Sequence, residues 1–300
     1  MKSGRSQREK RRFIAVCTIP TVVIYILIMV VPTINVFYMS FFKMSSLSLE
    51  KKFVGFDNFK TLIGDGKFRQ AFANNIFFIV SVTAITIVLA LFFAALLKQS
   101  RLKEKSFYQT VFFFPNVLSL VVIATLFIQI YDPTKGILSA GVKMIGINAP
   151  MQGWLGEATS ARWCVAAAMI WQAVGYYMVM YIAGMDGIPK DLYEVADLEG
   201  MSGIKQFFYI TLPLMWEIVR VTLVFFIISA INMSFVFVRL MTPTGGPNGK
   251  TEVILTYMYK QAFTNSNFGY AMTVGVFVFM FSFVLALISN AVTKRDIVQY

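Results

Sequence analysis

Six long, almost uncharged apolar runs dominate the chain, at residues 13–35, 74–97, 107–131, 162–184, 219–240 and 269–292. Each holds about 20 apolar residues or more, enough for a helix to cross roughly 30 Å of hydrocarbon. Lipid offers no water to a backbone N–H or C=O, so a spanning segment of this kind satisfies its own hydrogen bonds as a helix. Composition agrees: 57% of residues are hydrophobic, only 14% are charged and the mean hydropathy is +0.68, outside the range of a soluble domain. The expected fold class is therefore an all-α integral membrane protein with six transmembrane helices.

Charge orients the runs. Lys2, Arg5, Arg8, Lys10, Arg11 and Arg12 form a basic leader, and the run behind it passes Pro20 and Pro32 without a small-residue cleavage site, as an uncleaved signal anchor does. A cytoplasmic leader puts Lys98, Arg101, Lys103, Lys105, Lys294 and Arg295 on the same side, so both termini are expected in the cytoplasm. Lys43, Lys51, Lys52, Lys60, Lys67 and Arg69 then fall outside, against the rule. They are spread along a long loop with Glu50, Asp57 and Asp65, whereas the inner cations crowd helix ends, where the rule has most force.

The net charge of +12 is divided among short loops and forms no basic face, which excludes a nucleic-acid partner and leaves anionic lipid headgroups. Histidine is absent, and no paired carboxylates or Cys-His set lies at one depth, so no catalytic or metal-binding residue is expected. Cys17 and Cys164 lie within runs without a CxxC companion and are read as packing residues. The centres of the runs carry no ionisable residue; this speaks against a secondary transporter or channel for small polar solutes, which stands as the alternative. Pro115 is expected to make a packing kink in the third run, and Ala90, Ala94, Ala95 and Ala166–Ala168 are expected to allow close helix contacts.

Between the fourth and fifth runs lies a different kind of segment, residues 186–213. Ile188, Leu192, Val195 and Ala196 recur at helical spacing behind Pro189, which suits a first helical turn. Gly200 can take the positive φ that ends such a helix, Ser202 can cap the next, and Ile204, Phe207, Phe208 and Leu212 mark a second amphipathic helix limited by Pro213. Asp186, Asp191, Glu194, Asp197, Glu199 and Glu217 outnumber Lys190 and Lys205 here. An acidic loop on the inner side would be repelled by anionic lipid, so docking to a protein partner is favoured over a helix lying on the membrane.

The triplet Glu194-Val195-Ala196 with Gly200 and Ile210-x-Leu212-Pro213 closely resembles the EAA loop of permease subunits of ATP-binding-cassette importers, Val195 replacing the usual first alanine on what is expected to be a buried face. A second set, Met241-Thr242, Gly245-Gly246-Pro247, Thr251, Tyr257, Tyr259, Ala262-Phe263 and Phe268-Gly269-Tyr270-Ala271, resembles the outer loop of the carbohydrate branch, as in the maltose and glycerol-3-phosphate systems. With Phe53-Val54-Gly55-Phe56-Asp57-Asn58-Phe59 the resemblance covers nearly the whole chain.

That resemblance implies the type I importer transmembrane fold in a bacterial cytoplasmic membrane. It divides the chain into a leader, first helix and outer loop at 1–72, a transmembrane domain at 73–292 holding the EAA loop, and a tail at 293–300. It implies as partners a second permease, two ATPase subunits and an extracellular or periplasmic sugar-binding protein. ATP and Mg would be bound by the ATPase subunits; this chain needs no cofactor, and Gly245–Thr251, although it ends in Gly-Lys-Thr, lacks the first glycine of a phosphate loop. Glu194, Val195, Ala196, Asp197, Gly200, Phe207, Leu212 and Pro213 would couple to the ATPase, Glu194 facing an arginine there and Phe207 and Phe208 pinning the second helix to the bundle. Aromatic and amide groups at membrane depth suit a sugar path, which makes Trp171, Gln172, Tyr176, Tyr177, Asn232 and Ser234 candidates; helix–helix hydrogen bonds or an interfacial belt would use the same residues. Glu217, Arg220 and Arg239 are expected to snorkel or pair at the interfaces.

Overall fold

The computed structural model describes residues 2–45, 50–99 and 104–293, with side chains from residue 9 onward except that of residue 99. The side chains of Lys2, Arg5 and Arg8, together with Arg101, Lys103, Lys294 and Arg295, lie outside the described residues. The chain forms two compact units, residues 1–65 with 258–279, and residues 66–257 with 280–300.

The first unit begins with α1 (Lys2–Tyr25), a wide turn at Ile26–Val30 and α2 (Val31–Ser40), which together give an apolar span over Glu9–Ser40. A short antiparallel pair follows, β1 (Phe42–Met44) and β2 (Lys51–Phe53), in the register Phe42↔Phe53, Lys43↔Lys52. Gly55, at φ +54°, turns the chain into α3 (Asp57–Gly64). The Asn58 amide then donates to the carbonyls of Ser40 (2.8 Å) and Phe42 (3.1 Å). The start of the last helix, α14 (Phe268–Thr293), belongs here as well. A Cβ on Gly269 would stand 1.9 Å from the Phe42 carbonyl oxygen, the Thr273 hydroxyl donates to the Ser40 carbonyl at 3.1 Å, and the Tyr270 hydroxyl donates to Asp65 at 2.6 Å. Two motifs more than 200 residues apart thus meet, Asn58 and Thr273 satisfying carbonyls where α2 ends.

The second unit holds α4 (Gly66–Gln99), α5 (Lys105–Val117), α6 (Leu120–Ile130), α7 (Ile137–Met144), α8 (Ala158–Asp186), α9 (Lys190–Leu198), α10 (Gly203–Gln206), α11 (Leu212–Leu214), α12 (Trp216–Met241) and most of α13 (Ile254–Tyr259). Helix α8 is its centre, with Val165, Ala166, Ala168, Met169, Met178 and Tyr181 fully buried. Ala90 and Ala94 of α4 are fully buried too, as the small-residue reading expected, whereas Ala95 is half-buried and Ala167 on α8 is exposed, which corrects the expected contact there. The Tyr181 hydroxyl bonds that of Thr222 on α12 (2.9 Å), so a large buried aromatic keeps its polar tip satisfied. At the end of α12, Gly245 and Gly246 take φ +83° and +69°, and Thr242 and Thr251 bond each other at 2.7 Å. Gln70 and Asn74 of α4 donate to the carbonyls of Asn248, Gly249 and Glu252. The segment that follows Gly-Gly-Pro, residues 248–252, is thereby hydrogen-bonded to the first turns of α4.

Six apolar segments are present among the described residues, but the third is not one helix: α5 and α6 meet at 100°. The expected kink at Pro115 is corrected by this geometry. Pro115 sits buried inside α5, and the break comes after it, where Leu118 and Ser119 turn extended with ψ 147° and 138°. The Ser119 hydroxyl accepts the Val121 N–H (3.3 Å) and restarts the chain as α6. Just before the break, a Cβ on Gly175 of α8 would lie 1.7 Å from the Phe112 carbonyl oxygen, so only glycine lets α5 lie this close to α8. Gly175→Ala is expected to destabilise the protein by about 1–3 kcal/mol, the usual result of overpacking. Gly141→Ala in α7, where an added Cβ meets nothing within 4 Å, should leave the thermal midpoint in detergent unchanged.

Candidate functional site

Along α12 the residues Val221, Phe225, Ser229, Asn232 and Val236 recur every three or four positions, which is one face of a helix. That face lines an open cavity of about 660 Å3. Opposite it stand Gln172, Ala173, Tyr176, Tyr177 and Met180 of α8, with Asn116 and Leu120 at the broken α5–α6 joint. From Val221 to Val236 the lining extends about 22 Å along the helix axis, at 1.5 Å per residue. The walls present three carboxamides (Asn116, Gln172, Asn232), hydroxyls from Thr222, Ser229 and two tyrosines, and the rings of Phe225 and Phe226, and no lining residue is charged.

Four of the six sequence candidates, Gln172, Tyr176, Tyr177 and Asn232, line this cavity. Trp171 and Ser234 do not. Trp171 is one residue, about 100°, round the helix from Gln172, and packs edge-on against Phe127 with ring centres 5.5 Å apart. Ser234 is two residues from Asn232, faces the bundle, is wholly buried and donates to the Ile231 carbonyl at 2.8 Å. Sequence reasoning missed Asn116, Thr222, Ser229, Phe225 and Phe226. Ser229 was within reach, since it shares a face with Asn232 at i, i+3. Asn116 was hidden by the expectation of one continuous helix.

The 186–213 loop hangs from the same helices. Pro189 precedes α9 as its cap residue (ψ 134°) instead of opening its first turn. Gly200 has φ +71°; the Gly200 N–H donates to Asp197 and the Met201 N–H to Ala196, the paired bonds that close a helix through a left-handed residue. Ser202 is the cap residue of α10, with no side-chain bond to the helix. The Gln206 amide donates to Asp197 (2.6 Å) and to the Met201 carbonyl (3.1 Å), and the hydroxyls of Tyr193 and Thr211 lie 2.8 Å apart. Four polar side chains, Tyr193, Asp197, Gln206 and Thr211, therefore lock the two short helices into a single piece.

The faces of this piece differ from the expected ones. Ile188 and Ala196 are buried, but Val195 is 58% exposed, so the anticipated buried face at that position is corrected. In the second helix the inward residues are Gln206, Phe207, Thr211 and Met215, while Ile204 and Phe208 point outward with Tyr209. Phe207 packs on the core as expected; Phe208 does not. A wide turn over Phe207–Thr211 then interrupts the regular helix and shifts Leu212 and the residues after it round the axis. Pro213 lies within α11, and the stop falls two residues later at Met215. Val195, Leu198, Ile204, Phe208 and Tyr209 thus leave an apolar surface uncovered, beside the exposed carboxylates of Asp191, Glu194 and Glu199. Of the two outcomes expected for Glu217 and Arg220, pairing is the one found, at 2.5 Å, and Arg239 at the far end of α12 stacks over Phe235.

Comparison with known proteins bears directly on this arrangement. Residues 87–297 match the family model described as binding-protein-dependent transport system inner membrane component. The chain is 36% identical over 266 residues to the probable ABC transporter permease protein YurN of Bacillus subtilis, covering 88% of this chain and 90% of that protein. It is 30% identical to the diacetylchitobiose uptake system permease protein NgcF of Streptomyces coelicolor, covering 92% of this chain and 82% of that one. In fold it is similar to a chain of a bacterial ABC transporter involved in the import of the acidic polysaccharide alginate, with a TM-score of 0.85, 22% identity and coverage of 96% and 98%. With a broken third span, a cavity between α8 and α12 and a locked helix pair between them, the chain belongs to the family of inner membrane components of binding-protein-dependent transport systems.

Proposed function

We propose that this chain is one transmembrane half of an ATP-driven importer that moves a sugar or oligosaccharide delivered by an extracellular or periplasmic binding protein. It works with a second permease and two ATPase subunits that bind ATP and Mg, in the bacterial cytoplasmic membrane with both termini inside. Residues 1–72 carry the leader, first span and outer loop, 73–292 the transport domain and 293–300 the tail. The observation that carries the cargo assignment is the uncharged cavity lined by carboxamides, hydroxyls and aromatic rings. Carboxamides offer a donor and an acceptor side by side to a vicinal diol, and aromatic faces cover the apolar side of a sugar ring. The diacetylchitobiose relative supports the same cargo class.

In this reading the 186–213 loop transmits the work of the ATPase. Glu194, Val195, Ala196, Asp197, Gly200, Phe207, Leu212 and Pro213 divide among three roles, with Pro213 beside Leu212 in α11. Ala196, Phe207 and Leu212 hold the piece to the bundle, Asp197 and Gly200 set its shape, and Glu194 and Val195 face the ATPase with Leu198, Ile204, Phe208 and Tyr209. A rigid, locked pair of helices passes on a displacement that a flexible loop would absorb. Cargo enters the cavity at Gln172, Tyr176, Tyr177 and Asn232, extended by Asn116 and Ser229, and closure of the ATPase subunits changes the side to which that cavity opens.

Two outcomes are expected. Glu194→Ala and Gly200→Asp should leave the subunit inserted and ATP hydrolysed while uptake of labelled sugar falls about tenfold or more; near-normal uptake in both would contradict the coupling role. Asn232→Leu and Gln172→Leu should each lower uptake about tenfold or more through loss of a sugar hydrogen bond, whereas Ser234→Ala, outside the cavity, should transport as the wild type does. Labelled lactose, xylose and diacetylchitobiose, offered with the binding protein, form the panel.

A further inference from the structure

Helices α4 and α8 end at the same side of the second unit, α4 at Gln99 and α8 at Asp186, and they pack against each other along their length. Two helix C-termini side by side bring two negative dipole ends together. An acidic residue as the last residue of α8 makes that corner worse on its own account. The Lys98 ammonium is ion-paired there with the Asp186 carboxylate, and the Lys105 ammonium donates to the Lys98 carbonyl at 3.3 Å. Lys98 thus neutralises its own helix end, the end of its neighbour and the misplaced carboxylate together.

Asp186 is also the root of the 186–213 loop. Above it the loop is not packed down on α4. A gap of about 160 Å3 lies between Ala95 and Lys98 on one side and Tyr193, Gln206 and Thr211 on the other, with Met185 and Phe207 at its edges. The locked helix pair therefore has room to tilt towards or away from the end of α4, and the ion pair spans the fixed side of that gap like a hinge pin. Side-chain exposures of 33% for Lys98 and 62% for Asp186 rule out a large part in stability. What such a pair fixes is position.

We propose that Lys98 is a positioning residue for coupling. Its ion pair with Asp186 ties the root of the loop to α4, so that tilting of the loop is delivered to α4 and, through α4, to α8 and α12 beside the cavity. This rests on the loop being the contact of the ATPase, as proposed above. In the resting transporter the tie holds the loop where the ATPase subunits stay apart. Without it the loop, still seated by Ala196, Phe207 and Leu212, tilts over the gap more readily, and the subunits close and hydrolyse ATP with no signal from outside.

The test is ATP hydrolysis by the complete transporter in liposomes with no binding protein present, for the wild type, Lys98→Met, Asp186→Asn, Asp186→Glu and the charge swap Lys98→Asp with Asp186→Lys. Lys98→Met and Asp186→Asn should raise this basal rate about threefold to tenfold, the range of single coupling contacts. Asp186→Glu and the swap should return it to within about twofold of wild type, a rescue that a purely structural role for either side chain would not give. High salt should raise the wild-type rate and leave that of Asp186→Asn unchanged. Should Lys98→Met fail to assemble, Asp186→Asn and the swap carry the same comparison. Single variants with the wild-type rate, or a swap as fast as the single variants, would overturn the tie alone. A wild-type chain that co-purifies with no ATPase subunit would instead overturn the reading of the loop on which the tie depends.

Discussion

The approach of one backbone to another, where Gly175 of α8 meets the Phe112 carbonyl of α5, is the contact on which the rest of the transport unit depends. In lipid no hydrophobic force drives one apolar helix onto another, so close packing needs small residues at the point of contact. Here it brings α5 against the middle of α8, three residues ahead of Pro115. At the break the Leu118 N–H donates to the Pro115 carbonyl, and the Ser119 carbonyl and hydroxyl accept the Ile123 and Val121 N–H groups, so backbone groups at the joint find local partners. The 100° turn that follows aims α6 away and leaves Asn116 facing a space it shares with α8 and α12.

Cavity and loop are consequences of the same two helices. Helix α8 supplies Gln172, Tyr176 and Tyr177 to the cavity and ends nine to fourteen residues later at Asp186, where the loop begins; α12 starts directly after the loop and supplies Val221, Thr222, Ser229 and Asn232. A movement of the loop is therefore applied at the ends of the very helices that line the cavity, with no intervening flexible element. Tyr181 bonded to Thr222 keeps the two helices together just above the loop. The mechanical path is short, and each link is a packed or hydrogen-bonded contact.

Much of this was legible in the residues. Long apolar runs announced the spans, and Gly200 announced the break of the loop, because a left-handed turn depends on local chemistry; Ser202 marks the restart by position, without the side-chain cap expected of it. What depends on the third dimension was not legible. Gln206 faces inward and Phe208 outward, and a wide turn at Phe207–Thr211 rotates the side chains that follow it; no residue type signals either. The bend at Leu118–Ser119 sits beside a proline that drew attention to the wrong residue. Trp171 and Ser234 have the right chemistry for a sugar path on the wrong side of their helices, and only the rotation of α8 and α12 decides that. Lys98 counted as one cation among several until its partner Asp186 was placed beside it.

The most direct examination of the account is the accessibility of the cavity through the transport cycle. With Cys17 and Cys164 replaced by serine and Ser229→Cys introduced, the assembled transporter in inside-out vesicles can be treated with a membrane-impermeant thiol reagent, with and without ATP plus vanadate, which traps ADP and vanadate in the closed ATPase subunits. The account predicts rapid labelling from the cytoplasmic face in the resting state and protection of about tenfold or more once the closed state is trapped, because the loop then turns the same cavity outward. Equal labelling in both states would contradict it.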